Sequence, residues 1–182
     1  MKKDTIIQFV GFTTNLEFDQ FVTKWEQYAR RLINGHEDAT LLQEAETKSK
    51  FRYVSQHEWP DQDFKFNFMN VNRSEHFPEH NVKVAQLGGY TPLQLECNHG
   101  EEGKNAKLIA FISHDEMEID FYRQVPSYKF LNIYQSYYES CTYGYILEYF
   151  IPQTASTELL EILKRRPGVE IVRFKECLVP QV

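Results

Sequence analysis

The stretch of sequence that decides the fold is YVSQHEWPDQDFKFNFMNVNRSEHF, which runs from Tyr53 to Phe77. Its first residues are typical of a β-strand that ends at Trp59, and a Pro-Asp turn follows directly. Aromatic and apolar residues then recur at helical spacing over Gln62–Val71. The stretch therefore predicts a strand, a turn and a helix in succession, a unit from which α+β folds are built.

The residues on either side of this unit complete a six-element pattern. Gly88 and Gly89 interrupt the last predicted strand and indicate a bulge or bend there. The order of elements is β-α-β-β-α-β, which is that of a ferredoxin-like unit. Besides the helix at Gln62–Val71, its predicted elements are a strand at Ile6–Thr13, a helix capped by Asn15 and reaching about Ile33, short strands at Ala39–Ala45 and Phe51–Trp59, and a strand at Val82–Leu95.

The pattern restarts after a polar, Gly-rich connector at Cys97–Asn105. Because the order of elements repeats, we predict an α+β fold of two ferredoxin-like βαββαβ repeats in one chain, at residues 1–96 and 106–182. The second repeat departs from the first in one element, since its segment Asp115–Val125 is much shorter than the first helix of the first unit. The other predicted elements of the second repeat are strands at Lys107–Ser113, Phe130–Glu139, Thr142–Ile151 and Val169–Val179, and a helix at Thr157–Arg166.

The packing of the two predicted repeats follows from what a ferredoxin-like sheet leaves uncovered. Its helices cover one face and leave the other bare, so two bare faces that meet bury each other. Several strands are apolar on both faces, as this arrangement requires. We predict an α+β barrel with antiparallel sheets; the alternative is a single mixed sheet with helices on both faces.

Composition narrows the function classes. The 182 residues are 42% hydrophobic and 15% aromatic, enough for a packed core, and three widely spaced cysteines do not suggest a disulfide framework. The formal net charge is −6 and no large cluster of cations is present, which argues against nucleic acid as a partner. No apolar stretch approaches the ~20 residues of a membrane span, and the N-terminus makes a poor signal peptide. We predict a cytoplasmic protein without a membrane or nucleic-acid partner.

His57 is the candidate catalytic residue. Strand alternation places Phe51, Tyr53, Ser55, His57 and Trp59 on one face. If that face borders a cavity, it presents a titratable imidazole between aromatic rings, which can shuttle a proton or hydrogen-bond a ligand. The alternative is a surface histidine beside Glu58.

Tyrosines of the predicted strands Phe130–Glu139 and Thr142–Ile151 suggest a pocket. Aromatic side chains with hydroxyl groups suit a small, partly apolar ligand. The alternative is a packed barrel interior without room for a ligand. The predicted substrate-binding residues are Tyr53, Trp59, Tyr134, Tyr145 and Tyr149.

The sequence predicts no metal site. His76 and His80 have the i, i+4 spacing of a helical metal pair, but Pro78 lies between them and breaks a helix. No third ligand follows at a characteristic spacing. The partners that the sequence allows are a small-molecule ligand and further copies of the chain.

One group of residues resembles a known family. Members of the antibiotic-biosynthesis-monooxygenase-like domains, in the dimeric α+β barrel class, share a loose pattern that this chain matches at Tyr53, Trp59, Asp61, Phe64, Ser74, His76 and Phe77. The resemblance implies cofactor-free oxygenases acting on aromatic polyketides, haem-degrading enzymes, or domains without known activity. The haem-degrading branch has an Asn, a Trp and a helical His. Only Trp59 and His76 match that set, and the first strand has no Asn, so we predict no cofactor.

Three functions remain open at this point. The first is an oxygenase-like enzyme that binds a small aromatic ligand between the repeats, with His57 handling a proton. The second is a module that binds such a ligand without chemistry. The third is a filled barrel that works through its surface. A cavity with convergent polar groups separates the first two from the third, and turnover separates the first from the second.

Overall fold

The computed structural model describes residues 5–31, 38–45, 50–60, 81–96, 105–114, 119–125, 130–152 and 156–178. The predicted helix at Gln62–Val71 and the residues Asp61, Ser74 and His76 lie outside the described residues. The elements are β1 (Thr5–Thr14), α1 (Phe18–Arg31), β2 (Asp38–Glu44), β3 (Tyr53–Pro60), β4 (Val82–Gln94), β5 (Asn105–Ile112), α2 (Ile119–Arg123), β6 (Phe130–Ser136), β7 (Tyr145–Pro152), α3 (Ser156–Lys164) and β8 (Val169–Leu178).

The strands form one large antiparallel sheet that closes on itself. Their order around the barrel is β1-β3-β2-β8-β5-β7-β6-β4, and every described pair is antiparallel. The order is β4-β1-β3-β2 within the first half (residues 5–96) and β8-β5-β7-β6 within the second half (residues 105–178). Hydrogen bonds join the halves at β2–β8 and at β4–β6. The predicted α+β fold with antiparallel sheets is confirmed.

The helices lie on the outside of this barrel. α1 has 14 residues and α2 only 5, which confirms that the predicted second helical segment is short. The predicted N-cap at Asn15 is wrong, because α1 begins later and the Glu17 carbonyl accepts the Phe21 N–H at 3.0 Å. Thr14 instead orders the preceding turn, since its Oγ1 accepts the Leu16 N–H at 3.1 Å. None of the described helices is long and apolar enough to cross a membrane.

Alternating side chains divide the apolar core into three clusters. The β1–β3 face is the outer face of the first half. Phe21 and Trp25 of α1 pack on it, and its own residues include Ile6, Val10, Phe12, Ala39, Tyr53 and Trp59. The barrel interior takes residues from both halves, among them Phe9, Val54, Leu87, Ile109, Tyr134, Ile146 and Phe174. The β5–β7 face is the outer face of the second half. Tyr122 of α2 and Leu159 of α3 pack on it, and its own residues include Leu108, Ala110, Leu131, Tyr145, Leu147 and Tyr149.

The loop 137–144 packs against a bulge in β4 at one end of the barrel. Phe9 pairs with Gly88 but Val10 pairs with Gln86, so one extra residue of β4 is accommodated, as predicted from the two glycines. Gly88 has φ 121°, and a Cβ there would lie 2.5 Å from the Cys141 sulfur. Only glycine therefore fits under this loop.

Candidate functional site

The β1–β3 face carries the polar side chains that the sequence singled out. Tyr53, Ser55, His57 and Trp59 share this face, as strand alternation predicted. The prediction is wrong for Phe51, which packs in the barrel interior because β3 begins only at Tyr53 and the alternation does not extend before it. The face does not look into the barrel: Phe21 of α1 stacks on the Tyr53 ring at 4.1 Å between centroids. The candidate site therefore lies between α1 and the sheet.

His57 is the centre of this site. Its side chain is 0% exposed, so the alternative of a surface histidine is wrong. Its Nε2 lies 2.9 Å from Ser55 Oγ, and its ring lies 6.5 Å from that of Trp25, between centroids. Which of the two groups donates depends on the imidazole tautomer. A buried imidazole held by a hydroxyl is suited to accept and return a proton.

Two indole groups at this site, Trp59 on β3 and Trp25 on α1, differ in their partners. The Trp59 Nε1–H donates to Gln8 Oε1 at 3.0 Å, whereas the Trp25 Nε1–H has no hydrogen-bond partner among the described residues although Trp25 is buried. A buried donor without a partner is costly, and a ligand acceptor would satisfy it. Trp25 thus carries a buried donor for which the described residues supply no acceptor.

Gln8 is a site residue that the sequence analysis missed. It lies opposite His57 in the register of β1 and β3, on the strand where the resemblance required an Asn. The available signal was a lone amide within the apolar run of Ile6–Thr13. A polar side chain on a strand buried on both faces needs a buried partner, which here includes Trp59.

The structure does not bring the predicted substrate-binding residues together. Tyr53 and Trp59 lie on the β1–β3 face, Tyr134 in the barrel interior, and Tyr145 and Tyr149 on the β5–β7 face. The expectation of one shared pocket is therefore corrected. The reason is register: β6 and β7 pair Tyr149 with Leu131 and Tyr134 with Ile146, so Tyr134 points to the opposite side of the sheet.

The barrel interior contains a polar network that the sequence analysis also missed. Glu148 is fully buried, and its Oε2 accepts the Tyr134 hydroxyl at 2.8 Å and the Asn132 Nδ2 at 3.2 Å. Its Oε1 accepts Gln56 Nε2 and lies 3.6 Å from the Lys107 Nζ, itself 4% exposed. These donors suit a carboxylate that carries its negative charge.

Tyr134 remains a hydrogen-bond donor within this network. Burial, together with the negative charge of Glu148 and the hydrogen bond to it, raises the pKa of Tyr134 well above its ordinary value.

The buried ion pair of Lys107 and Glu148 contributes little net stability compared with apolar packing. The presence of this ion pair in the barrel interior therefore calls for another explanation.

The described residues offer few metal ligands. No group of three His, Cys, Asp or Glu side chains within the described ranges lies close enough to hold a metal ion. His114 is exposed, and its Nε2 lies 2.8 Å from the Cys141 carbonyl oxygen at the barrel end, away from His57.

Comparison with known proteins gives structural matches only. No protein-family model and no curated protein matches the chain. A mutant chlorite dismutase from Candidatus Nitrospira defluvii matches with a TM-score of 0.53 at 9% identity, over 97% of this chain and 93% of that chain. A protein named "Putative Chlorite dismutase TA0507" matches with a TM-score of 0.50 at 9% identity, over 94% of each chain.

A third match is weaker. A protein described as a "putative monooxygenase from Lactobacillus acidophilus NCFM" aligns with a TM-score of 0.47 at 10% identity, over 98% of this chain and 95% of that chain, and we draw no argument from it. At such identities the first two matches show the fold alone. The chain is similar in its α+β architecture to chlorite dismutase.

Proposed function

We propose that this chain is a small-molecule enzyme of the oxygenase type, whose site lies between α1 and the β1–β3 face. The observation that carries the proposal is the fully buried pair of Ser55 and His57, with the Trp25 ring 6.5 Å from the His57 ring and the Trp25 N–H without a described partner. A buried polar group without a partner calls for a physical explanation, and a bound ligand is one. His57 is the proposed catalytic residue, with Tyr53 and Trp59 bordering the ligand.

The substrate class follows from these groups. We propose a small aromatic compound with an acidic methylene, such as an anthrone-type phenol, because aromatic side chains surround His57 on this face. His57 would accept the proton, and the carbanion would then reduce O₂ directly. One O₂ converts the CH₂ to C=O and releases water, so the carbon loses four electrons and O₂ gains four. The substrate itself supplies the electrons, and Trp25 would donate a hydrogen bond to the substrate oxygen.

The proposal includes a tandem architecture, with ferredoxin-like repeats at residues 1–96 and 106–182. Its support is that both halves have one strand order, with the fourth strand beside the first and the second strand outermost. The strand register supports the repeats further. Gln56 on β3 lies opposite Phe9 on β1, and Glu148 on β7 lies opposite Ile109 on β5, so a polar residue of the third strand faces an apolar residue of the first strand in each half. In this proposal the first repeat carries the site. Tyr134, Tyr145 and Tyr149 are not part of it.

A second candidate is a filled barrel without chemistry. It is favoured by the interior aromatic rings, which contact one another: Phe9 lies 5.5 Å from Tyr90 and 5.4 Å from Tyr134, and Phe51 lies 5.9 Å from Phe111, between centroids. Edge-on packing of this kind is typical of a core. The proposed enzyme site does not require an open interior, because it lies outside the barrel.

Oxygen consumption with a panel of anthrone-type phenols and quinols tests the proposal. We expect turnover by the wild-type protein and a loss of about 100-fold or more in His57→Gln, the usual cost of removing an acid–base group. His114→Gln is the matched control, since His114 is exposed, and it should retain activity. Ligand binding that is detected by tryptophan fluorescence but is not accompanied by oxygen consumption would favour a binding module. Equal activity in both variants would contradict the role of His57.

A cytoplasmic location and self-association of the chain stay predictions.

A further inference from the structure

Gln56 connects the candidate site to the barrel interior. It lies between Ser55 and His57 on β3, but its side chain points to the other side of the sheet, where Nε2 donates to Glu148 Oε1. Gln56 belongs to the first half and Glu148 to the second. The only described hydrogen bond of the Gln56 side chain is this one, because its Oε1 has no partner among the described residues.

We infer that Glu148 is a positioning residue for the pair of Ser55 and His57, acting through Gln56. The inference deepens the proposed function and rests on it. It explains why a fully buried carboxylate is present in the barrel although apolar packing would serve stability as well.

The contact between Ser55 and His57 depends on the backbone at Gln56. Two residues along a strand span roughly 6.6 Å between Cα atoms, yet the Ser55 Oγ and His57 Nε2 lie 2.9 Å apart. Their separation therefore changes with the strand pleat at the residue between them. A fixed Gln56 side chain restricts that pleat, since a side chain free to change rotamer would leave it less defined.

Glu148 is itself a rigid anchor. Lys107 on β5, together with Asn132 and Tyr134 on β6, holds its two carboxylate oxygens from the neighbouring strands. Asn132 is fixed in turn, because its Oδ1 accepts the Glu96 N–H at 2.9 Å. The second half thus presents a carboxylate of defined position to the strand that carries His57.

The test separates positioning from general stability. Gln56→Met keeps the side-chain length but cannot donate to Glu148. We expect kcat on a turned-over phenol to fall about tenfold with KM within twofold, and the NMR titration midpoint of the His57 imidazole to move by about 0.5 pH unit, since altered hydrogen bonding changes the proton affinity. Tyr90→Phe, which removes another interior hydroxyl, is the matched control and should change neither value.

A charge swap provides the rescue. The double variant Gln56→Glu with Glu148→Gln restores a carboxylate–amide hydrogen bond between the same two positions. It should return kcat to within about threefold of the wild type, whereas Gln56→Glu alone places two carboxylates together and should not. If Gln56→Met fails to fold, this comparison carries the test.

The overturning outcome is a lower melting temperature with an unchanged His57 midpoint in Gln56→Met or in Gln56→Glu, which would make the contact purely structural. The midpoint needs no turnover. Absence of activity on the whole panel would therefore refute the proposed function without deciding this inference.

Discussion

The two outer faces of the barrel have the same strand order but different chemistry. On the β1–β3 face Gln8 lies opposite His57, and on the β5–β7 face Leu108 lies opposite Tyr149 at the corresponding position. Ser55 likewise corresponds to the fully buried Leu147. The fold therefore does not require polar groups beneath its helices. The polar side chains of one face need a reason beyond architecture, because burying them is costly.

Substitutions at the corresponding positions Leu147 and Ser55 give the largest expected effect on the free energy of unfolding. Leu147→Ser removes a buried side chain and leaves a hydroxyl in an apolar cluster, so we expect about 3–5 kcal/mol of destabilisation. Ser55→Ala, at the corresponding position, removes the hydrogen bond to His57 and should cost about 1–2 kcal/mol. Urea unfolding of both variants measures the difference. Equal costs would break the distinction between an apolar and a polar face.

The two indoles at the contact between α1 and the β1–β3 face allow a second comparison, between a paired donor and one without a described partner. Trp59→Phe removes the donor of the hydrogen bond to Gln8, whereas Trp25→Phe removes a donor with no described partner. Both lose similar volume, so we expect Trp59→Phe to be the more destabilising by about 1 kcal/mol. Trp25→Phe should instead weaken the binding of a phenol probe, about tenfold, in a fluorescence titration. The reverse ranking in either measurement would contradict a ligand-directed Trp25.

Much of this architecture follows from sequence patterns alone. The strand predictions around Tyr53–Pro60 and Val82–Gln94, the bulge at Gly88 and the short helical segment before β6 all depend on local periodicity and turn chemistry. Strand alternation also assigned Ser55 and His57 to one face. Local rules act within a few residues, and these features are local.

Which face looks inward depends on contacts between distant segments. β3 and β7 are buried on both sides, so their sequences do not distinguish the helix-covered face from the barrel interior. The pairing of Tyr134 with Ile146, which turns Tyr134 towards the barrel interior, likewise depends on how β6 and β7 align and not on local sequence. Glu148 was nevertheless visible as a lone charge in the apolar strand Tyr145–Pro152, and such a charge indicates a buried partner. Its partner Gln56 lies in another half of the chain, which no local pattern connects.

Alkaline titration provides the smallest effect and examines the edge of the β1–β3 face. Burial raises the pKa of Tyr53, and the neighbouring Arg52 guanidinium opposes this only in part. The folded protein therefore keeps a phenolic proton that the unfolded chain loses above about pH 10, so stability should fall as the pH rises past that value. Tyr53→Phe removes this contribution, and its free energy of unfolding should fall less steeply between pH 9 and pH 11 than that of the wild type. Urea unfolding at half-unit pH steps measures both slopes. Identical slopes would mean that the Tyr53 hydroxyl ionises as readily beneath α1 as in the unfolded chain, and that the face is open to water at this edge.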